Sequence, residues 1–230
     1  MEELRTLARH TGPHGELALR LRTGPDGEVH ELVVDGAFAM DSRETASERR
    51  LAGLVAEHGA LGRVLVGGLG LGYTATALLE AGAGRVEVVE LEAALVRWAR
   101  EGVTPQLGAL ATHPRCRLHV DDVARWIATA EPGSLDAVVL DVDNGPDFLI
   151  HPGNAELYQT PRLAAALRLL RPGGVLVVWC QHRTPQLRER LSELGPTTEE
   201  VVPVEREGHR LEYALYTVRA DPSGTAIVQP

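Results

Sequence analysis

Short runs typical of β-strands alternate along most of this chain with segments of helical periodicity. The first two runs, residues 16–22 and 28–34, flank a turn rich in Gly and Pro and predict a β-hairpin. A helix is expected at 43–58, after Asp41 and Ser42, either of which could cap its N-terminus.

From residue 63 onward, strand-like segments are each followed by a helix-like segment. The pairs are 63–68 with 73–80, 85–90 with 93–101, 116–120 with 122–130, 135–143 with 155–170, and 173–180 with 185–194. Such repetition is typical of a parallel sheet covered by helices on both faces. Two further strand-like runs, 199–207 and 209–220, are joined at Gly208 and predict an antiparallel pair.

The sequence therefore predicts a Rossmann-like α/β fold of the class I methyltransferase type. Its sheet is expected to be seven-stranded and mostly parallel, with an antiparallel C-terminal hairpin and a small N-terminal β-hairpin. A length of 230 residues suits one main core. We divide the chain into an N-terminal β-hairpin region at 1–41, a nucleotide-binding catalytic domain at 42–220 and a tail at 221–230.

The amino-acid composition excludes several classes of partner and of chemistry. The formal net charge of −9 argues against a nucleic-acid partner and suits a cationic small molecule. The chain has no Lys, which excludes Schiff-base chemistry. Cys116 and Cys180 form no ligand cluster, so we expect neither disulfides nor a metal site. With no long apolar run, we expect a cytoplasmic protein without a membrane partner.

Four glycines, Gly67, Gly68, Gly70 and Gly72, lie where the first parallel strand meets its helix. Glycines there allow a ligand to approach the backbone closely, and the N-terminus of the helix offers N–H groups to an anionic group. About twenty residues later, Glu90 ends the next strand, where a carboxylate can accept the hydroxyls of a ribose. The pattern predicts a nucleotide site.

A nicotinamide-dependent dehydrogenase is an alternative, because Gly70, Gly72 and Ala75 satisfy a loose dinucleotide fingerprint. However, little chain remains for a separate substrate domain, and the Tyr-Lys pair of compact dehydrogenases is impossible without Lys.

Further candidate site residues follow the later strands. Asp122 could accept an adenine amino group or simply cap the next helix. Asp141 could take a proton from an incoming amine, or begin the loop as an Asx turn. Asp143, Tyr158 and Gln181 are expected near the acceptor.

Four other residues are given structural roles. We interpret Glu87 and Glu92 as surface charges, His151 as a surface turn residue and Trp179 as a packing residue.

Together the motifs resemble spermidine synthase-like proteins, the polyamine aminopropyltransferase branch of the class I S-adenosylmethionine-dependent enzymes. The resemblance extends from Glu31 to Trp179. The matching segments are ELVVDGAFAMDSRETASERRLA, VLVGGLGLG, VEVVELE, LHVDDVARWI, LDVDNGP and ELYQTPRLAAALRLLRPGGVLVVWCQ.

The resemblance implies a role for each candidate. Glu90 would hold the ribose, Asp122 the adenine amine, and Asp141 would deprotonate the attacking amine, with Tyr158 and Gln181 near the acceptor. It also implies a homodimer formed through the N-terminal β-region.

The chain departs from the family pattern both where the family binds the donor and where it binds the acceptor. Gly70 replaces an Asp that contacts the aminopropyl end of the donor, which makes room for the carboxylate of S-adenosylmethionine. Ala46, Ser47 and Glu48 occupy a region that has a Tyr in the family, and the loop after Asp141 is shorter.

We therefore expect a transferase that moves an aminopropyl or methyl group from decarboxylated S-adenosylmethionine or S-adenosylmethionine to a small amine, without a metal. The alternative is a noncatalytic nucleotide-binding sensor or partner subunit.

Overall fold

Two β-sheets organise the chain. The structure is a computed structural model, and it describes residues 3–25, 27–142, 145–147, 149, 151–206 and 209–221. Within those residues, no helix has the length and apolar character needed to cross a membrane.

The smaller sheet contains four antiparallel strands, adjacent in chain order: β1 (Glu3–Gly12), β2 (Gly15–Gly24), β3 (Gly27–Val34) and β4 (Ala37–Asp41). The predicted hairpin is β2 and β3, whereas the prediction missed β1 and β4. Strand β1 is largely exposed, so it lacks the apolar alternation that marks a strand in sequence. Strand β4 is only five residues long and follows a tight turn in which Asp35 has a φ of 50°.

The larger sheet has seven strands in the order β10-β11-β9-β8-β5-β6-β7. The strands are β5 (Arg63–Gly67), β6 (Arg85–Glu90), β7 (Cys116–Val120), β8 (Leu135–Leu140), β9 (Leu170–Cys180), β10 (Thr197–Arg206) and β11 (His209–Arg219). Strands β5 to β9 pair in parallel, and β11 pairs antiparallel with both β9 and β10. This confirms the predicted sheet; Gly208, the predicted join, lies outside the described residues.

Seven α-helices connect the described strands. They are α1 (Ala46–Glu57), α2 (Tyr73–Glu80), α3 (Ala93–Glu101), α4 (Pro105–Thr112), α5 (Val123–Thr129), α6 (Thr160–Arg168) and α7 (Pro185–Leu194), and a 3₁₀-helix spans Pro152–Tyr158. Helices α2, α3 and α7 have the predicted bounds.

Three helix predictions need correction. The helix expected from residue 43 begins later, because the Asp41 side chain accepts hydrogen bonds from the backbone of Arg43 and Glu44 and forms a turn there. The helix expected at 155–170 is two elements, since the proline after Thr160 favours a helix start. Helix α4 was missed; Thr104 caps it by accepting the Leu107 N–H.

Apolar side chains pack on both faces of the larger sheet. One cluster joins Leu19 and Leu32 of the smaller sheet to Leu51 and Val55 of α1. The other lies under α5, α6 and α7. The smaller sheet therefore shares a core with the larger one.

Glu87 is buried rather than a surface charge, which corrects the sequence interpretation. Its side chain is 1% exposed and lies 3.0 Å from Arg63 Nη2, 2.6 Å from Arg85 Nε and 2.8 Å from His119 Nε2. Burial alone would raise its pKa, but the hydrogen bonds from His119 and Arg63 and the charge of Arg85 lower it. Glu87 therefore joins β5, β6 and β7 electrostatically.

Candidate functional site

A cavity of about 220 Å³ opens at the carboxyl ends of the parallel strands. The chain leaves β5 toward β6 and β7 on one side and adds β8 and β9 on the other, so the cavity lies where the strand order reverses. Open α/β sheets bind ligands at this place. Strands β2, β3 and β4 of the smaller sheet supply part of its wall.

Gly68 allows the loop after β5 to approach the end of β8. Its φ is +91°, and a Cβ there would collide with the carbonyl oxygen of Asp141. The Asp141 N–H donates to the Gly67 carbonyl at 3.0 Å, which joins the two strand ends. Glycine is therefore needed where the loop positions Asp141.

Gly70 lies under the smaller sheet. Its φ is +50°, and a Cβ there would stand 2.6 Å from Met40 Sδ. The same sulfur lies 3.2 Å from the Leu71 N–H. The space that a residue-70 side chain would need is thus occupied by Met40. Gly68 and Gly70 line the cavity, whereas Gly67 and Gly72 do not.

Glu90 ends β6 and is buried at the cavity wall. Its two carboxylate oxygens accept the N–H groups of Leu69 and Glu92, each at 2.8 Å. Burial raises its pKa, and these hydrogen bonds oppose that rise. A carboxylate has about four acceptor positions, so this one keeps acceptor capacity for a ligand hydroxyl.

Asp122 lies at the exposed edge of the cavity and caps α5 by accepting the Ala124 N–H at 2.7 Å. The capping alternative is therefore correct, and it leaves the second carboxylate oxygen able to contact a ligand.

Asp141 follows β8 directly and lines the cavity. Its Oδ2 accepts the Thr74 hydroxyl of α2 at 2.6 Å. Burial raises its pKa, although the Thr74 hydrogen bond opposes the shift. The carboxyl is fixed in orientation, as a proton acceptor requires.

Glu48 is a buried carboxyl on the same cavity, and sequence reasoning did not assign it a role. It projects from α1, and the Ser47 hydroxyl donates to its Oε2 at 2.7 Å. Burial, followed by the negative charge of Asp141, raises its pKa to about 7. The one feature of the sequence that could have indicated a role for Glu48 is its position in the segment where the similar family has a Tyr.

An aromatic pair forms another part of the wall. The Trp179 and Tyr213 rings have centroids 4.9 Å apart and are tilted by 60°. The buried Trp179 Nε1–H meets no hydrogen-bond acceptor in the part of the chain that the structure describes. Trp179 thus lines the cavity as well as packing, and Gln181 follows it there.

The outcome differs for the other two predicted acceptor residues. Tyr158 is fully buried in the core cluster under α6 and α7, and does not line the cavity. Asp143 lies outside the described residues.

Two histidines and a carboxylate meet at the cavity. The rings of His14, from the turn between β1 and β2, and His151 are 5.1 Å apart, and His14 Nδ1 lies 3.0 Å from Glu92 Oε1. His151 and Glu92, interpreted from sequence as surface residues, both line the cavity. The smaller sheet, the segment after β8 and the start of α3 therefore converge here.

The fold is that of spermidine synthase. A crystal structure of spermidine synthase with the transition-state analogue AdoDATO has a TM-score of 0.75 and 16% identity, with 95% of this chain and 75% of that chain covered. The spermidine synthase of Thermotoga maritima has a TM-score of 0.74 and 16% identity, with coverage of 95% and 74%.

Sequence similarity points the same way, although no family model matches the chain. A polyamine aminopropyltransferase of Mycobacterium tuberculosis is 31% identical over 155 residues, which are 66% of this chain and 29% of that protein. Putrescine N-methyltransferase 1 of Nicotiana tabacum is 30% identical over 115 residues, 50% of this chain and 29% of that protein. The match thus spans less than a third of these curated relatives. The chain is spermidine synthase-like.

Proposed function

We propose that the protein is a transferase that moves an alkyl group from an S-adenosyl sulfonium to a small amine. One observation carries the proposal: Glu90, Asp122 and Asp141, chosen from sequence for the ribose, the adenine amine and the proton, line one cavity together with Gly68 and Gly70. The sequence similarity to both an aminopropyltransferase and a putrescine N-methyltransferase supports the same chemistry.

The reaction is an in-line displacement at the carbon bound to the sulfonium. Glu90 and Asp122 orient the nucleoside, the glycine loop approaches the remainder of the donor, and Asp141 accepts the proton of the attacking amine. Most of the rate increase would come from alignment in a confined site. The fixed carboxylates also attract both cationic reactants.

Two donors fit this proposal, each with an observation in its favour. The similarity to a polyamine aminopropyltransferase favours decarboxylated S-adenosylmethionine. Gly70 favours S-adenosylmethionine, because no acidic side chain stands at this position to repel the donor carboxylate.

The experiment is calorimetric titration of the purified protein with each donor, with NADH as the ligand of the dehydrogenase alternative. Tighter binding of S-adenosylmethionine supports methyl transfer, and tighter binding of the decarboxylated donor supports aminopropyl transfer. Binding of neither S-adenosyl compound contradicts the proposal, and binding of NADH alone would favour the dehydrogenase.

We also propose that the enzyme is a cytoplasmic homodimer formed through the smaller sheet. The resemblance to a family that dimerises through its N-terminal β-region supports this proposal, and Leu4 of β1 is 55% exposed there. Sedimentation velocity tests the oligomeric state, and a monomer at micromolar concentration contradicts it.

A further inference from the structure

The cavity wall holds a second buried carboxyl beside Asp141. We propose that Glu48 is a catalytic residue of the acceptor subsite: with Asp141 it binds the ammonium group of an aliphatic amine and takes up the proton that this group loses. The inference rests on the proposed function, which supplies the sulfonium donor.

Both carboxyls are buried or partly buried without a cationic partner. Glu48 is 9% exposed, and its Oε2 accepts the Ser47 hydroxyl, while Asp141 accepts the Thr74 hydroxyl. Among the described residues, neither forms an ion pair with an Arg or a His. Buried charges are normally paired, so the missing positive charge is one that a ligand can supply.

The groups that face Glu48 are all acidic or neutral. The negative charges of Asp141, at the end of β8, and of Glu44, in the segment before α1, act on Glu48, and Glu48 acts in turn on Tyr73 of α2; all of them line the cavity. An incoming ammonium therefore meets no positive charge from these elements.

The cationic side chains of α1 are engaged elsewhere. Arg50 pairs with Glu57 and with Glu200 of β10, and Arg49 donates to the Thr45 hydroxyl. The acidity of the subsite is thus not neutralised from its own helix.

The wall also suits the carbon chain of such a ligand. Trp179 and Tyr213 offer aromatic surface to methylene groups, and aromatic faces attract ammonium groups. An acidic wall and an aromatic wall on one cavity define an aliphatic amine as the ligand class.

The proton step balances without a further reactant. Asp141, the base of the proposed function, accepts one proton from the bound R–NH₃⁺ and passes it to the Glu48 carboxylate, and the freed nitrogen lone pair attacks the carbon bound to sulfur. The C–S bond breaks with its electron pair going to sulfur, which leaves a neutral thioether and an alkylated ammonium. Glu48 then releases its proton to solvent. A carboxyl with a raised pKa is a stronger base than an ordinary one.

Proton release on ligand binding tests the assignment. The protein is first saturated with the thioether that remains after group transfer from the donor it binds more tightly, so that no reaction can occur. Putrescine is then titrated in at pH 7, in two buffers of different ionisation enthalpy. We expect a release of roughly half a proton per putrescine in the wild type, because a cation drives the half-protonated Glu48 to ionise. Glu48→Gln should abolish this release and weaken putrescine binding about tenfold.

The controls separate the site from the fold. Glu80→Gln neutralises an exposed carboxylate at the end of α2 and should behave as the wild type, and Glu48→Asp should retain the release. Unchanged release and affinity in Glu48→Gln overturn the inference, as does the absence of putrescine binding. If Glu48→Gln does not fold, absence of release from the wild type between pH 6 and pH 8 overturns it instead. If the wild type binds no S-adenosyl compound, the proposed function itself is contradicted.

Discussion

At the scale of single residues, Asp141 distinguishes the hypothesis that the protein is a transferase from the hypothesis that it is a noncatalytic sensor. Its carboxyl is fixed by Thr74, and the ribose contact of the proposed nucleoside site is assigned to Glu90 instead. We predict that Asp141→Asn lowers kcat by about 10²- to 10⁴-fold, the usual contribution of a general base, with little change in donor affinity.

Single-turnover kinetics and donor titration on the same samples measure both quantities for Asp141→Asn. Thr74→Val is the matched variant: it removes the hydroxyl that orients the carboxyl but not the carboxyl itself, so its loss should be smaller. Donor binding without turnover in the wild type would favour the sensor.

Gly70 is the residue at which donor preference can be tested directly. Because Met40 Sδ occupies the place of a residue-70 side chain, Gly70→Asp should be combined with Met40→Ala. Asp tolerates a left-handed φ better than most residues. We predict that the double variant shifts the ratio of donor affinities toward decarboxylated S-adenosylmethionine by about tenfold, through repulsion of the donor carboxylate.

Met40→Ala alone is the control for this shift, since it opens the same space without adding charge. An unchanged ratio of the two donor affinities in the double variant would contradict our account of Gly70.

Some residues of the candidate site could be predicted from the sequence, and others could not. Glu90 was identified because it ends an apolar strand about twenty residues after the glycine loop, and Asp141 because it directly follows the apolar strand that leads into a polar loop. Glu48 was not, because its burial depends on α1 packing against α2 and against β9, β10 and β11, which are far away in sequence. Tyr158 was expected near the acceptor both from the docking of its helix and from the resemblance, yet the 3₁₀-helix that carries it turns it into the core.

At the scale of elements, the three strands β5, β6 and β7 are tied by the buried Glu87. Its interactions lower its pKa in the folded state, so its stabilising contribution is complete above the unfolded pKa of about 4.3 and is lost as pH falls through the folded value. We predict that Glu87→Gln lowers the free energy of unfolding by roughly 1–3 kcal/mol at pH 7, a figure reduced because Arg63 and Arg85 are partly solvated.

Urea unfolding of wild type and Glu87→Gln at pH 7 and at pH 3 measures this contribution. The difference between the two proteins should shrink at the lower pH. A difference that is independent of pH would mean that packing, not charge, accounts for the loss.

The bounds of helices and strands were predicted correctly where residues next to the boundary determine it. Helices α2, α3 and α7 have the predicted bounds, because each is preceded by a clear turn or a proline and has one apolar face. Strands β1 and β4 were missed because pairing with β2 and β3 stabilises them, and such nonlocal pairing leaves little trace in their own composition.

At the scale of the whole molecule, the smaller sheet is part of the site. Leu32 of β3 lies both in the shared core and on the cavity wall, whereas Leu19 of β2 is buried in the same core without lining the cavity. The proposed boundary between regions at residue 41 therefore separates two parts of one binding cavity. Neither part encloses a ligand alone.

This pair of leucines provides the last prediction. Leu19→Ala and Leu32→Ala should each lower the free energy of unfolding by about 2–5 kcal/mol, because each leaves a space in a packed core. Only Leu32→Ala should also weaken S-adenosyl donor binding, since it alone removes apolar surface from the cavity. Urea unfolding and donor calorimetry, run at a temperature where both variants stay folded, measure the two effects. Equal loss of affinity in both variants would show that the smaller sheet acts on the ligand only through stability, and that its contribution to the cavity wall is energetically neutral.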